Sequence, residues 1–184
     1  MAQATPQCNP APVLSLTQQF LALLQAHEAN EAAIKKPPQS YIAYMESCNR
    51  AGVTPSKPFL SKLLATEPIR AIAVIRGELH GRYIDRAGVM AVVSVLPLLP
   101  DVTHLTASSC LLEDTDVDAV CAHLDQHRSL LCIDLTSNTF TFTALQKLLQ
   151  LFEKNTRWQR LLVDCPAGSY IAVQFQQLQQ AREG

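Results

Sequence analysis

The sequence predicts an α/β fold: a short horseshoe of parallel strands with helices on its convex side and a helical N-terminal cap. Segments of alternating apolar residues recur around Leu105, Ile133 and Leu161, at steps of 28 residues. Each segment is followed or preceded by a stretch whose apolar residues recur at i, i+3, i+4 and i+7, as on one helix face. A fixed period of this size indicates supersecondary units stacked side by side.

The first predicted region is an N-terminal arm, residues 1–39. Within it, "VLSLTQQFLALLQAHEAN" has the pattern of an amphipathic helix, and "KKPPQ" then interrupts helical structure because proline cannot continue a helix. An amphipathic helix that stands apart from the body is suited to binding a partner. Its predicted contact residues are Leu16, Phe20, Leu23 and Leu24.

The second predicted region is a helical cap, residues 40–68. "SYIAYMESCNRAG" reads as a helix that begins at Ser40 and ends at Gly52, and "TPSKPFLSKLLA" as a shorter helix. The apolar stripe of the first of these consists of Tyr41, Tyr44, Met45 and Cys48. A stack of repeats needs such a cover over its open apolar end.

The third predicted region is the repeat array, residues 69–184. An early strand contains Ile72 and Val74, and the five extra residues before the next strand are assigned to a surface insertion in "GELHGR". Helices follow in "DRAGVMAVVSVLPLLP", "DTDVDAVCAHLDQH" and "TFTALQKLLQLFEKN", with Asp114 or Thr115 and Thr141 or Thr143 as N-caps. The polar end of "SYIAVQFQQLQQAREG" suits a terminal repeat.

Two segments, "LTASSCLLEDTDVDAVCAHLDQHRSL" and "LCIDLTSNTFTFTALQKLLQLFEKNTRW", resemble leucine-rich repeats of the ribonuclease-inhibitor type. Cys110 and Asn138 stand at the Cys/Asn position of that frame, where the side chain satisfies loop backbone groups of the adjacent repeat. The last copy departs, with Pro166 at this position. The "Y-x-x-x-C…GV-x-P" lead-in is similar to that of trypanosomatid leucine-rich repeat proteins.

The bulk composition argues against several classes of partner. The net charge is -1 and 17% of the 184 residues are charged, with no basic stripe, so nucleic acid and lipid surfaces are not expected. The longest apolar run is too short to span a bilayer, and no secretory signal precedes it. Six scattered cysteines without a CxxC pair indicate free thiols in a reducing, cytoplasmic compartment.

Two metal patterns are present in incomplete form. Asp114, Asp116 and Asp118 resemble the start of a calcium loop, but Ala119 occupies the position that needs glycine, and acidic residues also suit a helix N-terminus. Cys121, His123 and His127 lack a fourth ligand for zinc, and a packed cysteine with two solvated histidines explains them. No metal, cofactor or small-molecule substrate is therefore expected.

Enzymatic readings have little sequence support. No nucleotide-binding glycine motif and no G-x-S-x-G elbow occurs, although a Cys–His hydrolase stays open because the residue types are present. The GTPase-activating members of the repeat family place an arginine near the start of the array, where this chain has Arg76 and Arg82.

The residues between the core positions of each strand are predicted to line the concave side of the sheet. They are small, mixed in character and mildly charged, which suits a protein partner. The predicted contact residues are His104, Thr106, Ser108, Asp134, Thr136, Arg160, Leu162 and Asp164. Trp158 is predicted to lie in the core, with an interface anchor as the alternative.

We therefore expect a non-enzymatic protein-interaction or scaffold module, one subunit or assembly factor of a larger complex. The resemblance to trypanosomatid repeat proteins implies a flagellar or cytoskeletal assembly. The alternatives are a GTPase activator or other enzyme regulator, the N-terminal module of a protein kinase A regulatory subunit, and a tropomodulin-like actin cap.

Overall fold

The structure, a computed structural model, describes residues 37–183. Six α-helices and six strands form this part of the chain. The helices are α1 (Gln39–Ala51), α2 (Lys57–Leu64), α3 (Arg86–Val95), α4 (Asp114–Gln126), α5 (Phe142–Lys154) and α6 (Tyr170–Glu183). The strands are β1 (Ala71–Ile75), β2 (Glu78–Leu79), β3 (Arg82–Tyr83), β4 (His104–Ser108), β5 (Cys132–Asp134) and β6 (Arg160–Leu162).

One six-stranded sheet in the order β3-β2-β1-β4-β5-β6 organises the described residues. Strands β1, β4, β5 and β6 are parallel, and Ile72 pairs with Leu105, Leu105 with Ile133, and Ile133 with Leu161. The spacing of 28 residues seen in the sequence is therefore the register of β4, β5 and β6.

The other end of the sheet is antiparallel, because β2 pairs with both β1 and β3 in that sense. The α/β class is confirmed, but the predicted all-parallel leucine-rich-repeat horseshoe is wrong, since the sheet is mixed. The predicted surface insertion folds into these two strands. Its two-residue turns, Arg76–Gly77 and His80–Gly81, have φ values of 54°, 73°, 53° and 76°. Positive φ at both positions is the geometry that joins tightly paired antiparallel strands.

The core lies between one face of the sheet and the helices. Along β1, residues alternate between exposed and buried, so Ile72 and Val74 point inward. The predicted helical stripes face them: Leu145, Leu148 and Phe152 of α5 are buried, as is Trp158 after it. Burial of each such side chain stabilises the fold by about 1.5–3 kcal/mol. The core position predicted for Trp158 is confirmed.

Asn138 connects neighbouring strand-to-helix loops. Its Oδ1 accepts hydrogen bonds from the backbone N–H groups of Cys110 and Leu112, both at 3.0 Å. Its Nδ2 donates to the carbonyls of Ala107 at 2.8 Å and Leu135 at 2.9 Å. The predicted role of this side chain, satisfying backbone groups of the adjacent loop, is confirmed.

His127 and Asn155, also 28 residues apart, have a similar role at the other ends of the helices. His127 is 2% exposed; its Nδ1 accepts from the backbone N–H groups of Ser129 and Leu130, and its Nε2 lies 3.0 Å from the Leu99 carbonyl. The prediction that His127 is solvated is wrong, because its ring is bonded to backbone groups on both nitrogens.

Helices α1 and α2 cover the β1 end of the core. Tyr44, Cys48 and Phe59 are fully buried, and the Tyr44 hydroxyl accepts a hydrogen bond from the Ser56 backbone N–H at 3.2 Å. Burial raises the pKa of Tyr44 to about 12. Met45 was predicted on the buried stripe but is 37% exposed, which makes that assignment wrong.

The helix boundaries agree only partly with the predicted caps. Gly52 ends α1 in the left-handed conformation, and Thr141 precedes α5 as its N-cap, both as expected. Ser40 lies inside α1 and is buried, so it is not the cap. Helix α4 is capped by Glu113, whose backbone N–H donates to Asp116, rather than by Asp114 or Thr115.

The last helix, α6, closes the β6 end of the core. The Arg182 guanidinium donates to the carbonyls of Phe152, Asn155 and Trp158 at 2.6, 3.1 and 2.7 Å and lies 4.0 Å from the centre of the Phe152 ring. Gln179 donates to the Leu161 carbonyl of strand β6 at 2.7 Å. Side chains of α6 thus satisfy backbone groups that a further repeat would otherwise meet.

Candidate binding surface

The sheet has a second face, which we call the open face, made of the strand residues that point away from the core. On β1 these are Ala71, Ala73 and Ile75, all exposed. Their cross-strand partners on β4 are His104, Thr106 and Ser108. Since paired residues share a face, each row of partners runs across the sheet on the open side.

The residues predicted to contact a partner all belong to this face. His104, Cys132 and Arg160 are cross-strand neighbours and form one row. Thr106, Asp134 and Leu162 form the next row. Ser108, Thr136 and Asp164 follow at the carboxyl ends of β4, β5 and β6. The placement follows from the register, and whether these residues bind a partner stays a prediction.

A shallow groove of about 250 Å³ crosses the middle of the open face. It is lined by residues of β4, β5 and β6: His104, Leu105, Thr106, Cys132, Ile133, Asp134, Arg160 and Leu162. Its walls combine aliphatic surface from Leu162 with polar groups of both signs. Such a mixture, without deep enclosure, is typical of a surface that contacts another protein.

The polar groups of the open face are held in place by neighbours. The Thr136 backbone N–H and hydroxyl both donate to Asp134 Oδ1, at 2.9 and 2.7 Å. The Ser137 N–H donates to Asp164 Oδ2 at 2.6 Å. The carboxylates are thus oriented before any partner arrives, which lowers the entropy lost on binding.

Charge is unevenly distributed across the face. His104 and Arg160 lie in the row at the amino ends of the strands. Asp134 and Asp164 lie toward the carboxyl ends. A partner therefore meets opposite signs at the two margins, which favours one orientation over its reverse.

Two residues of the open face were missed by the sequence analysis. Glu78 pairs with Ile75 and Tyr83 pairs with Glu78, so both continue the row of Ile75 and Ser108. Tyr83 is 66% exposed and Ile75 is 50% exposed. The available signal was the pair of two-residue segments ending in Gly77 and Gly81, which is typical of consecutive tight hairpins.

The second predicted contact set, Leu16, Phe20, Leu23 and Leu24, lies outside the described residues.

The acidic residues around α4 take part in contacts between neighbouring helices. Arg86 of α3 lies 3.1 Å from Asp116, and Lys147 of α5 lies 2.5 Å from Asp118. Asp114 accepts hydrogen bonds from Thr141, which hold the pKa of that carboxyl below its usual value. These carboxylates thus have structural partners in place of a calcium ion.

The cysteine and histidines of α4 show no metal-binding arrangement. Burial is the main cause that raises the pKa of the Cys121 thiol to about 11, so it is protonated at neutral pH. Burial lowers the pKa of both His123 and His127. Within residues 37–183, no group of three or more His, Cys, Asp or Glu side chains could hold a metal ion. No helix of the same part of the chain is long and apolar enough to cross a membrane.

No protein-family model and no curated protein matches this sequence. Among solved structures, "Leiomodin-1 Actin-Binding Site 2" is similar over 64% of this chain and 83% of its own, with 12% identity and a TM-score of 0.47. The tropomodulin C-terminal domain from Caenorhabditis elegans is similar over 62% and 84%, with 7% identity and a TM-score of 0.45. Likenesses at this level do not establish a function.

The resemblance to ribonuclease-inhibitor-type leucine-rich repeats, trypanosomatid ones included, is contradicted by these findings. The similar structures are of the leiomodin and tropomodulin kind, and the sheet of this chain is mixed. The residues that suggested the resemblance nevertheless have a physical role, because Asn138 and Cys110 both bond to backbone groups of neighbouring loops.

Proposed function

We propose that residues 37–183 form a non-enzymatic module that binds another protein through the open face. The observation that carries this proposal is the open face itself. Its residues from β1 to β6 are exposed or half-buried, while the opposite face of the same strands is packed on the helices. A sheet that leaves one wide face of mixed character outside the core offers a surface for a partner.

The chemistry of the described residues supports binding over catalysis. Burial raises the pKa of the Cys48, Cys110 and Cys165 thiols, so none of them is poised as a thiolate nucleophile. A hydroxyl–imidazole contact joins Thr103 Oγ1 to His104 Nδ1 at 2.8 Å, but the same hydroxyl lies 3.2 Å from the Arg70 carbonyl. That hydroxyl has a backbone partner and is not aligned as a nucleophile.

The cytoskeletal setting is part of the proposal. A tropomodulin-like actin cap was among the sequence hypotheses, and one of the similar structures is an actin-binding site of leiomodin-1. Co-sedimentation of the purified protein with filamentous actin tests that partner directly. A flagellar location and the boundaries of the N-terminal arm, residues 1–39, the cap, residues 40–68, and the array, residues 69–184, stay predictions.

The two regulatory alternatives gain nothing from the structure. Arg76 is exposed in the turn between β1 and β2, and Arg82 lies on the short strand β3. No contact of the described residues supports GTPase activation through either arginine, or a fragment of a protein kinase A regulatory subunit.

Site-specific photo-cross-linking tests the proposed surface. A photoreactive benzoylphenylalanine is placed at Thr106 or Leu162 on the open face, and at Gln150 on the exposed side of α5 as the matched control. In cells that express the protein, both open-face probes should cross-link the same partner, and Gln150 should not. Excess unlabelled protein should compete for the partner, whereas the Thr106→Arg variant should compete poorly.

Cross-linking from Gln150 alone, or no cross-link from either open-face probe, contradicts the proposal. The fold of each variant is checked by thermal unfolding, so that loss of cross-linking is not mistaken for loss of structure.

A further inference from the structure

The row at the carboxyl ends of the strands, which we call the edge row, crosses the whole sheet. Tyr83, Glu78, Ile75 and Ser108 are linked by consecutive strand pairs. The 28-residue register continues the row to Thr136 and Asp164, where the Ser109 N–H donates to the Thr136 carbonyl and the Ser137 N–H to Asp164. Six strands therefore contribute one residue each.

The two ends of the edge row differ from its middle. Tyr83 and Ile75 expose apolar surface at one end, 66% and 50% respectively. Glu78 lies between them, and Asp164 lies at the far end. Asp134 stands one step behind Thr136, and the cation nearest in sequence is Arg76 in the adjoining turn. The row is thus apolar and acidic, which calls for a partner that is apolar and basic.

The direction of the row determines what kind of backbone can lie on it. A segment that runs along the row crosses the strands, so it meets side chains and cannot pair its own backbone with the sheet. Its N–H and C=O groups must then be satisfied internally, as they are in an α-helix. Addition of a strand at β6 is also disfavoured, because Gln179 already occupies the Leu161 carbonyl.

The dimensions of the row define the length of such a helix. Five spacings of about 4.8 Å between strands give a row of about 24 Å, the length of an α-helix of about 16 residues. Glu78 and Asp164 are four strands apart, about 19 Å, which corresponds to about 13 residues of helix.

We propose that the edge row binds an amphipathic partner helix of about 16 residues that carries apolar side chains toward Ile75 and Tyr83 and two Lys or Arg residues about 13 positions apart. This inference rests on the proposed function, since it names the partner segment for the same open face. It excludes a partner segment that binds as an added strand.

A peptide library tests the inference without requiring the identity of the natural partner. Random 18-residue peptides displayed on phage are selected on the immobilised full-length protein. The recovered sequences should show apolar residues at helical spacing and Lys or Arg near both ends. Recovered peptides, labelled with fluorescein, should gain helical circular dichroism on binding and bind less tightly as salt increases.

Variants assign the binding to the edge row. Ile75→Ser and Tyr83→Ser should each weaken binding of a recovered peptide at least about tenfold, as truncation of an interface anchor does. Glu78→Lys with Asp164→Lys should reverse the selected charge, so that Asp or Glu appears near both ends. Glu153→Lys, an exposed reversal on α5, should change neither property. Thermal unfolding confirms that each variant is folded.

The outcomes separate this inference from the proposed function. Recovered peptides without a helical pattern, or a charge preference that Glu78→Lys with Asp164→Lys leaves unchanged, overturn the partner helix. If cross-linking from Thr106 and Leu162 still captures a partner in that case, the open face remains the binding surface and only the helix is wrong. Cross-linking from Gln150 alone overturns both.

Discussion

Replacement of Asn138 by alanine should remove a large part of the stability of the domain. The amide makes four hydrogen bonds of 2.8–3.0 Å that join two successive strand-to-helix loops. Alanine leaves two N–H groups and two carbonyls without that partner. A buried polar group without its hydrogen bond costs about 1–3 kcal/mol, and water can reach part of this half-buried site.

We therefore expect Asn138→Ala to lower the free energy of unfolding by about 2–4 kcal/mol, out of the roughly 5–15 kcal/mol typical of a domain. The melting temperature should decrease by about 5–15 °C. Urea unfolding can be followed by the fluorescence of Trp158, the single tryptophan of the chain, which is fully buried. Its emission should shift to longer wavelength as the domain unfolds.

Asn49→Ala is the matched control, because Asn49 is an exposed asparagine on α1. That variant should change stability by less than about 0.5 kcal/mol. An Asn138→Ala protein whose stability lies within about 1 kcal/mol of the Asn49→Ala protein would refute the reasoning that Asn138 holds the two loops together.

Three further predictions use the same unfolding assay. Arg182→Ala should lower the free energy of unfolding by about 1–3 kcal/mol, because three carbonyls lose their donor, and Arg182→Lys should recover part of the loss; equal stability of Arg182→Ala and wild type would argue against this cap. Gly77→Ala should destabilise more than Gly81→Ala, since both glycines have positive φ but only the added methyl at Gly77 meets the Ile84 carbonyl, at 3.0 Å; the reverse order would contradict the hairpin geometry. Burial lowers the pKa of His127 in the folded state, so the unfolded chain binds protons more readily and stability should fall as pH decreases below the unfolded value of about 6.5. His127→Asn should reduce that pH dependence, and an unchanged slope would exclude His127 as its source.

The parallel part of the fold could be predicted because packing constrains it. Leu105, Ile133 and Leu161 must all point inward, so the strands repeat at the register that their helices allow. Asn138 was recognisable for a related reason, since a polar residue at a fixed position after each strand has backbone groups to satisfy.

The antiparallel hairpin was missed because its strands are only two residues long. Such strands carry no periodic signal of their own, and the information lay in the turns at Gly77 and Gly81. His127 was misplaced because an imidazole looks solvated beside charged neighbours. Its spacing of 28 residues from Asn155 was the clue that it fills an internal position.

The location of the open face followed from the register, but its function did not. Residues that point away from the core, such as Thr106 and Leu162, are not constrained by packing, so the pattern of the sequence says little about what they contact. Glu78 and Tyr83 were omitted for the same reason as the hairpin that carries them.

The equal spacing of β4, β5 and β6, together with closure of the last strand by Arg182 and Gln179, makes the domain extensible by design. Duplicating residues 130–157 immediately before Trp158 would insert one more strand and helix while both chain ends kept their present neighbours. Each copy would widen the exposed platform by about 4.8 Å. The molecule thus supplies a unit from which longer adaptors could be assembled to match targets of different size.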